Sequence, residues 1–198
     1  MTYTGNIHSI DILIGRAVLS RATANKLGHI QDILVDVGRG ALAGIVVRMA
    51  DESLRLVDYN EIFSIGPDAV MLKADEAAIP VQDSPLKVLP LAKHNLTGVK
   101  VVTEGGKLVG QIANVYIRMS ETLLLVYEVR SSILDKLLGH ALFFPASQGR
   151  AISADFARMV VAEDTAEKAA NTLDALEARL FGPPKEEDTV VVVRSRGY

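Results

Sequence analysis

The ionisable residues of this 198-residue chain show no spacing that predicts catalysis. The chain has four histidines, His8, His29, His94 and His140. None lies in an H-x-x-x-H or H-x-x-E pattern, the spacings that bring two ligands to one metal ion. Asp32 and Asp36 would point to the same side of a strand, about 13 Å apart, which is too far for a shared acid–base site. We expect Asp32 to accept backbone N–H bonds instead.

The glycine-rich stretches lack the spacing of phosphate-binding loops. The sequences GRG at 38–40 and EGGK at 104–107 match neither a P-loop nor a dinucleotide fingerprint, and both are typical of hairpin turns. No serine lies in a Gly-x-Ser-x-Gly elbow, and cysteine is absent. We therefore expect a non-catalytic protein that uses no metal and no cofactor.

Two arginines are the most informative charged residues, because they occupy matching positions. Arg48 follows Gly28 by 20 residues, and Arg130 follows Gly110 by 20 residues. Each arginine ends an apolar, β-prone stretch, GIVVR or VYEVR. One interpretation is that each arginine pairs with a local carboxylate at a strand end. The other is that both contribute to a docking contact.

The matching arginines belong to an internal repeat. The sequence LGHIQDILV at 27–35 aligns with VGQIANVYI at 109–117, with apolar residues and glycine in the same places and Asp32 matched by Asn114. Upstream, LIGRAV at 13–18 matches LTGVKV at 96–101 in the same order. An ordered series of this length indicates the duplication of one module.

The predicted fold is mainly β, with two small β-barrels in tandem that each close around their own interior. Each copy consists of short β-prone runs separated by turn residues at intervals of about 8–12 residues, as in small barrels. We divide the chain into a first barrel over 1–75, a proline-containing linker over 76–92, a second barrel over 93–162, an amphipathic helix over 163–182, and a tail with a short strand over 183–198.

Apolar residues outside the barrels predict further packing. In the linker they are Ile79, Val81, Leu86, Leu89 and Leu91, and we expect them to lie against the barrels. In the C-terminal helix they form one stripe, Ala166, Ala169, Ala170, Leu173, Leu176 and Leu180. The stripe either covers the outside of the second barrel or forms a helix–helix contact in a dimer.

Two segments are candidates for binding a partner. The sequence SSILDKLLGH at 131–140 predicts a short helix, which either plugs the end of the barrel or presents Leu137 and Leu138 to a partner. The valines at 190–193 are strongly β-prone and need an edge strand of the same chain or of a neighbour. The candidate interaction residues are Arg48, Arg130, Leu137, Leu138, Val190, Val191, Val192, Val193 and Arg194.

The repeat resembles the PRC-barrel family, which includes the cytoplasmic part of the photosynthetic reaction-centre H subunit and the C-terminal domain of a bacterial ribosome maturation factor. The resemblance covers residues 9–75 and 93–162. It rests on Gly15, Gly28, Ile30, Asp32 and Ile33 in the first copy, and on Gly98, Gly110, Ile112, Asn114 and Val115 in the second. At the strand corner Pro145 fits the family pattern, whereas Asp58 replaces proline. The resemblance implies a docking module that binds proteins, sometimes within RNA–protein assemblies, and has no active site.

Composition restricts the class of partner. A net charge of −3 and an aromatic content of 5% do not predict a nucleic-acid surface. The sequence shows no signal peptide and no run long enough to span a bilayer, so we expect a cytoplasmic protein. The expected function is a protein-binding adaptor that forms a homo-oligomer, in the simplest case a dimer. The alternatives are an RNA- or ribosome-associated assembly factor and a peripheral subunit of a membrane photosynthetic or redox complex.

Overall fold

A computed structural model describes residues 7–118, 124–131 and 141–182. Within these ranges the chain is mainly β, as predicted, and its fourteen strands form one sheet. The strands of the first half are β1 (Ile7–Ser9), β2 (Ala17–Ser20), β3 (Lys26–Asp36), β4 (Ala41–Met49), β5 (Leu54–Asp58), β6 (Ile62–Ile65), β7 (Ala69–Leu72) and β8 (Ile79–Pro80). Those of the second half are β9 (Lys100–Thr103), β10 (Leu108–Arg118), β11 (Leu124–Arg130), β12 (Leu142–Pro145), β13 (Gly149–Ile152) and β14 (Arg158–Val161).

Helices connect and flank the strands. A 3-10 helix (Ile10–Ile12) precedes β2, and a π-helix (Ala92–Leu96) precedes β9. Further 3-10 helices are Tyr59–Glu61, Asp75–Ala77, Val81–Asp83, Pro85–Val88 and Ala146–Gln148. After β14 come the α-helices α1 (Thr165–Lys168) and α2 (Leu173–Phe181).

The two halves have the same strand pairing. In the first half, β2, β3, β4 and β5 form an antiparallel run, β7 pairs with β2 in parallel, and β6 pairs with β7. In the second half, β9, β10, β11 and β12 repeat the antiparallel run, β14 pairs with β9 in parallel, and β13 pairs with β14. The duplicated sequence therefore forms a duplicated arrangement of strands.

Glycine recurs in both copies because the neighbouring strand leaves no room for a side chain. A Cβ atom at Gly28 would lie 2.1 Å from the carbonyl oxygen of Arg48, and one at Gly110 would lie 2.5 Å from that of Arg130. Backbone oxygens in a paired strand cannot move aside as a flexible side chain can. Any larger residue at either position would therefore push β3 from β4, or β10 from β11.

Each half contributes its leading segment to the other half. Strand β1 pairs with the end of β10, where Ile7 lies opposite Arg118. At the matching place in the first half, the linker reaches β3, and the N–H of Val35 donates to the carbonyl oxygen of Pro90 at 3.0 Å. The halves therefore interlock through exchanged segments.

The interior is continuous between the halves, so the expectation of two closed interiors is wrong. One cluster of buried apolar residues includes Val47 and Val70 from the first half together with Val101 from the second. The π-helix contacts both β3 and β10 and so lies at the junction. In addition to the pairing of β1 with β10, the pair Ala41 with Leu124 joins β4 to β11.

The linker covers the outer face of the first half, as predicted. A small buried cluster there consists of Leu34, Val46 and Leu56, and the linker residues packed on it are Val81, Leu86, Leu89 and Leu91. Burial of these side chains removes apolar surface of β3, β4 and β5 from water. The segment is part of the folded unit and does not act as a spacer.

The C-terminal helix is interrupted, which corrects the prediction of one helix over 163–182. After α1 ends, Ala170 exchanges two backbone hydrogen bonds with Phe143 of β12, at 2.8 and 2.9 Å. The chain then starts a new helix at Thr172, whose Oγ1 accepts from the N–H of Ala175 at 3.1 Å. The edge of β12 thus competes for the backbone that would have continued the first helix.

Helix α2 covers the outside of the second half, which agrees with the first interpretation of its apolar stripe. Leu176 is fully buried there, in a cluster with Ile7, Val126, Ala141, Phe143 and Ala170. Leu180, at the end of the same stripe, is 40% exposed. The outer faces of the two halves are therefore covered by the segment that follows each half in the chain.

Candidate interaction surface

The matched arginines pair with local carboxylates, as the first interpretation predicted. Arg48 Nη1 lies 3.0 Å from Glu52 Oε2, and its Nε donates to Gln31 Oε1 at 3.0 Å. Arg130 Nη2 lies 2.6 Å from Oε1 of the buried Glu128. Both arginine side chains keep 42% of their surface exposed. A docking contact through them stays a prediction.

The remaining predicted interaction residues lie outside the residues that the structure describes. They are Leu137, Leu138, Val190, Val191, Val192, Val193 and Arg194. Their roles in binding stay predictions.

Four exposed polar residues form a row across the sheet of the second half. Arg158 on β14 is in register with Lys100 on β9, Lys100 with Gln111 on β10, and Gln111 with Arg130 on β11. All four residues are exposed. Neighbouring strands lie about 4.8 Å apart, so the row spans about 14 Å and carries three cations on one face. We call Arg158, Lys100, Gln111 and Arg130 the basic row.

An apolar row lies beside the basic row on the same face. Val160 on β14 is in register with Val102 on β9, and Val102 with Leu108 on β10. A register shift between Leu108 and Gly110 adds one residue to β10, so Leu108 and Gln111 share a face although they are three residues apart. Leu108 is 58% exposed. The apolar row (Val160, Val102 and Leu108) and the basic row together are the docking face.

The basic row is largely a feature of the second half. The matching in-register row of the first half consists of Ala69, Ala17, His29 and Arg48. Lys100 and Arg158 therefore occupy places where the other copy has alanine. The strand arrangement does not need these cations, since the first half forms it without them.

Lys100 and Arg158 lie side by side with like charge, which opposes strand pairing. Among the described residues, neither has a carboxylate within salt-bridge distance. Hydrogen bonds from Ser153 and Ala157 are the main cause of the lowered pKa of Asp155, and Arg158 makes a small contribution to it. An anionic group bound at the basic row would relieve this repulsion.

Buried Asp32 holds the halves together, which confirms the prediction that it accepts backbone N–H bonds. Its side chain is 1% exposed and accepts from the N–H groups of Ile33, Lys93 and His94 at 2.8, 3.1 and 3.2 Å. The Nδ1 atom of His94 also lies 3.2 Å away. Since Lys93 and His94 belong to the π-helix, the carboxylate fixes that helix on β3.

Glu128 is the second buried carboxylate of the sheet. Its Oε2 accepts from the hydroxyl of Tyr116 at 2.9 Å, and its Oε1 accepts from Nε of Arg130 at 2.7 Å. Burial, followed by the neighbouring Glu128, raises the pKa of Tyr116. Both carboxylate oxygens are therefore engaged, and the geometry orients Arg130 on the outer face.

A partly buried charged cluster fixes α2 at the end of β10. Arg118 Nε lies 3.7 Å from Glu177 Oε1, and the Arg118 guanidinium carbon lies 3.7 Å from the centre of the Phe181 ring. Burial lowers the pKa of nearby His8, with Glu177 opposing and Arg16 adding to the shift. The last turn of α2 is thereby held against β1 and β10.

An open groove runs between the halves and has a volume of about 420 Å³. It is lined by the turn after β3, by the linker at Val88 and Pro90, and by Arg150 and Ile152 of β13. No group of three or more metal-ligating side chains occurs among the described residues. No helix in the described part of the chain is long and apolar enough to cross a membrane.

Comparison with known proteins agrees with the strand arrangement. Residues 6–79 match the model of the PRC-barrel domain. The matched residues are those of the first copy of the repeat. The PRC-barrel match includes the close contact at Gly28 and the buried Asp32, and it ends within β8. The family resemblance predicted from the first copy is thus confirmed.

Other comparisons add little to the PRC-barrel assignment. A 16S ribosomal RNA processing protein, RimM, from Pseudomonas aeruginosa has a similar structure, with 18% identity and a TM-score of 0.30 over 77% of this chain and 96% of that chain. A likeness at that TM-score supports no statement about function. Among curated proteins, none matches the sequence significantly.

Proposed function

We propose that the chain is a non-catalytic protein-interaction module that binds an acidic, partly apolar segment of a partner through the docking face. The observation that carries the proposal is the basic row. Lys100 and Arg158 repel each other, have no salt-bridge partner among the described residues, and replace alanines of the other copy. A structural role does not explain them, whereas binding of an anionic partner does.

The same strand pairing in both halves supports the proposal that residues 93–162 form a second PRC-barrel. In this view the first copy serves as the scaffold, and its linker, exchanged strand and π-helix junction hold the second copy rigid. A rigid sheet face presents its side chains at fixed spacing, which reduces the entropy lost on binding. The predicted cytoplasmic location and homo-oligomer belong to this proposal as well.

A protein segment fits the docking face better than RNA does. The face carries three apolar residues beside the cations and no aromatic ring on which a base could stack. The net charge of −3 also repels a long polyanion. The RNA-associated alternative is therefore an outcome to be tested directly.

The test is the binding of defined probes to the full chain by fluorescence anisotropy. The probes are a labelled peptide of Glu, Asp and Val, the same peptide with Ser in place of Val, and a single-stranded RNA of similar charge. Reversal of two cations, Lys100→Glu with Arg158→Glu, should lower the affinity for the first peptide at least tenfold. The matched control, Lys26→Glu with Lys73→Glu, reverses two exposed lysines of the first half and should change affinity less than twofold.

Three results would contradict the proposal. The reversal could leave peptide affinity unchanged, which would show that the docking face does not bind the peptide. The Ser peptide could bind as tightly as the Val peptide, which removes the apolar row. The RNA could bind more tightly than either peptide with a steep dependence on salt, which would favour the nucleic-acid alternative.

A further inference from the structure

We propose that the groove between the halves binds an extended segment of a partner protein, which adds to the free edge of β13 as a further strand. The segment alternates apolar with acidic side chains. The groove is a different surface from the docking face, because it lies at an edge of the sheet and not on its outer face. This second site therefore goes beyond the proposed function and does not depend on it.

Strand β13 has one unpaired edge. It stands at the end of the order of strands, and among the described residues it pairs only with β14. The N–H of Ser153 donates to the carbonyl oxygen of Arg158 at 2.9 Å, so the backbone of Ser153 points towards β14. Backbone groups of successive strand residues point to opposite edges, so the N–H and carbonyl groups of Ile152 point away from β14. An edge of this kind is a template for another strand.

The unpaired edge borders the groove. Residues 150–154 all line it, although the side chains of successive residues in an extended chain point to opposite faces. Consecutive residues can line one groove only where the edge of the chain faces it. At about 3.4 Å per residue, they offer about 14 Å of backbone. The groove therefore gives a partner access to the hydrogen-bonding groups of β13.

The opposite wall belongs to the first half and the linker, and it is held in place. The linker contributes Val88 and Pro90, and the carbonyl oxygen of Pro90 accepts from the N–H of Val35 at 3.0 Å. The walls meet where the turn after β3 touches the start of β13. A Cβ atom at Gly149 would lie 3.2 Å from Cγ1 of Val37. The groove is thus preformed, which reduces the entropy lost on binding.

Apolar side chains around the groove favour apolar residues in the segment. Val88 on the linker wall is 73% exposed. On the other wall Ile152 is in register with the fully buried Met159, so its side chain lies on the inner face, yet it remains partly exposed. Apolar side chains on one side of an added strand would remove both surfaces from water.

Charge favours acidic residues on the other side of the segment. Arg150 lies at the rim and keeps 52% of its side chain exposed. Its Nε is 3.9 Å from Oε1 of Glu104, close to the limit of about 4 Å for an ion pair, so it can bind a second carboxylate. The carboxylate that lines the groove, Asp36, is paired with Arg39 at 3.6 Å. Alternating side chains can be apolar on one side and acidic on the other.

A single extended chain fits the groove better than the edge of a second copy does. A strand residue takes up about 160 Å³, given spacings of about 4.8 Å between strands, about 3.4 Å along the chain and about 10 Å between sheets. The volume of about 420 Å³ therefore holds roughly two or three residues. A second copy would bring a strand that belongs to a folded sheet, and this volume does not accommodate the rest of that sheet.

Amide hydrogen exchange of the full chain, resolved by NMR, tests where the segment binds. The probe is a peptide of alternating valine and glutamate. Without the probe, the N–H of Ile152 should exchange at least tenfold faster than that of Ser153, which is bonded to Arg158. A saturating amount of probe should slow the exchange of Ile152 at least tenfold, because its N–H then donates to the peptide.

Ile65 is the matched control within the same molecule. It lies on β6, at the other end of the order of strands. The next residue, Gly66, donates its N–H to the carbonyl oxygen of Ala69 at 2.9 Å, as Ser153 does to Arg158. The N–H of Ile65 therefore also points away from its paired strand, but it does not line the groove. Its exchange should change less than twofold.

Backbone methylation of the probe tests strand addition itself. In an extended peptide the N–H groups of the valines point to one edge and those of the glutamates to the other. Methylation of either set gives two peptides, of which one loses the donors that face β13. We expect one peptide to lose affinity at least tenfold and the other less than threefold. A peptide bound through its side chains alone would lose affinity equally in both.

Substitutions on the two walls test the chemistry of the groove. Val88→Glu and Arg150→Glu should each lower the affinity for the probe at least fivefold in an NMR titration. The matched controls are Leu54→Glu, at a leucine of β5 that is 42% exposed, and Lys26→Glu, at an exposed lysine of β3. Each control should change the affinity less than twofold.

Four results would overturn the inference. The N–H of Ile152 could already be protected in the chain without probe. The probe could protect Ile65 as strongly as Ile152, or the two methylated peptides could bind equally. Lys100→Glu with Arg158→Glu could abolish the protection of Ile152, which would show that the probe binds through the docking face alone. The proposed function would survive each of these results, since its own test measures the effect of that charge reversal on affinity.

Discussion

Removal of the Asp32 carboxylate should destabilise the whole molecule, because that group joins the two halves. In Asp32→Ala the N–H groups of Ile33, Lys93 and His94 lose their acceptor. A buried donor left without a partner costs about 1–3 kcal/mol. Water can reach the part-exposed π-helix, so we take about 1 kcal/mol for each group. The expected loss is about 3 kcal/mol in the free energy of unfolding.

Two further variants give a graded comparison. Asp32→Asn keeps one oxygen for Ile33 and Lys93 but turns an amide N–H₂ group towards the N–H of His94, so we expect a loss of about 1–2 kcal/mol. Asn114, the counterpart in the second copy, accepts from the N–H of Val115 at 2.9 Å. Its change to alanine should cost about 1 kcal/mol.

Urea unfolding followed by far-UV circular dichroism measures these losses as shifts in the midpoint at constant slope. The expected loss of stability is largest for Asp32→Ala, smaller for Asp32→Asn and smallest for Asn114→Ala. It is refuted if Asp32→Ala lies within 0.5 kcal/mol of the unchanged protein, a limit of about the size expected for neutral surface substitutions. A change of slope in Asp32→Ala alone would show that this variant has lost two-state unfolding or that the compactness of one of its states has changed.

Three other predictions concern packing and pH. Gly28→Ala should cost about 1–3 kcal/mol of stability, because its Cβ would lie 2.1 Å from the Arg48 carbonyl oxygen. Gly38→Ala should be nearly neutral, since the closest atom to its Cβ is in the Asp36 side chain, 3.4 Å away. The urea midpoints of the two variants test this difference. Leu176→Ala should cost about 2–4 kcal/mol and Leu180→Ala less than about 1, since the first is fully buried and the second 40% exposed, as thermal unfolding would show. Burial lowers the pKa of His8 below 6.5, so the unfolded chain binds more protons just below that pH. Stability should therefore fall as pH drops below 6.5. In His8→Gln the urea midpoint should change less between pH 7 and pH 5 than it does in the unchanged protein.

The repeat predicted the strands well, because its signals are local. Alternation and β-branched residues mark β3 and β10, and the recurring glycines at 28 and 110 mark the closest contacts between strands. That Asp32 accepts backbone N–H bonds also followed from its residue type and position. The strands and the close glycine contacts depend on neighbours within the same copy, where sequence spacing and spatial distance correspond. Two of the three N–H donors to Asp32, by contrast, come from the π-helix of the other half.

The docking face could not be predicted, because its members come together only through pairing. Residues 100, 111, 130 and 158 are far apart in sequence, and the parallel pairing of β14 with β9 sets their register. One signal was available: aligned by the repeat, Lys100 and Arg158 correspond to Ala17 and Ala69. A comparison of exposed positions between the copies would have identified them.

The interruption of the C-terminal helix also depends on a distant partner. The stripe from Ala166 to Leu180 has helical spacing throughout, so periodicity alone predicts one helix. Ala170 pairs with the free edge of β12 at Phe143 instead, and this pairing interrupts the helix that the local sequence favours. The same holds for the shared interior, since the pairing of β1 with β10 joins residues about a hundred positions apart.

The exchanged segments have a consequence for how the molecule can come apart. If one half were separated from the other, the edge of β3 or of β10 that the other half now pairs with would be unpaired. The leading segment of the separated half would also have no strand to pair with. Two identical fragments can pair both segments by exchanging them with each other. Liberated copies should therefore pair in solution, and the single chain can be regarded as a domain-swapped dimer whose two subunits have been joined end to end.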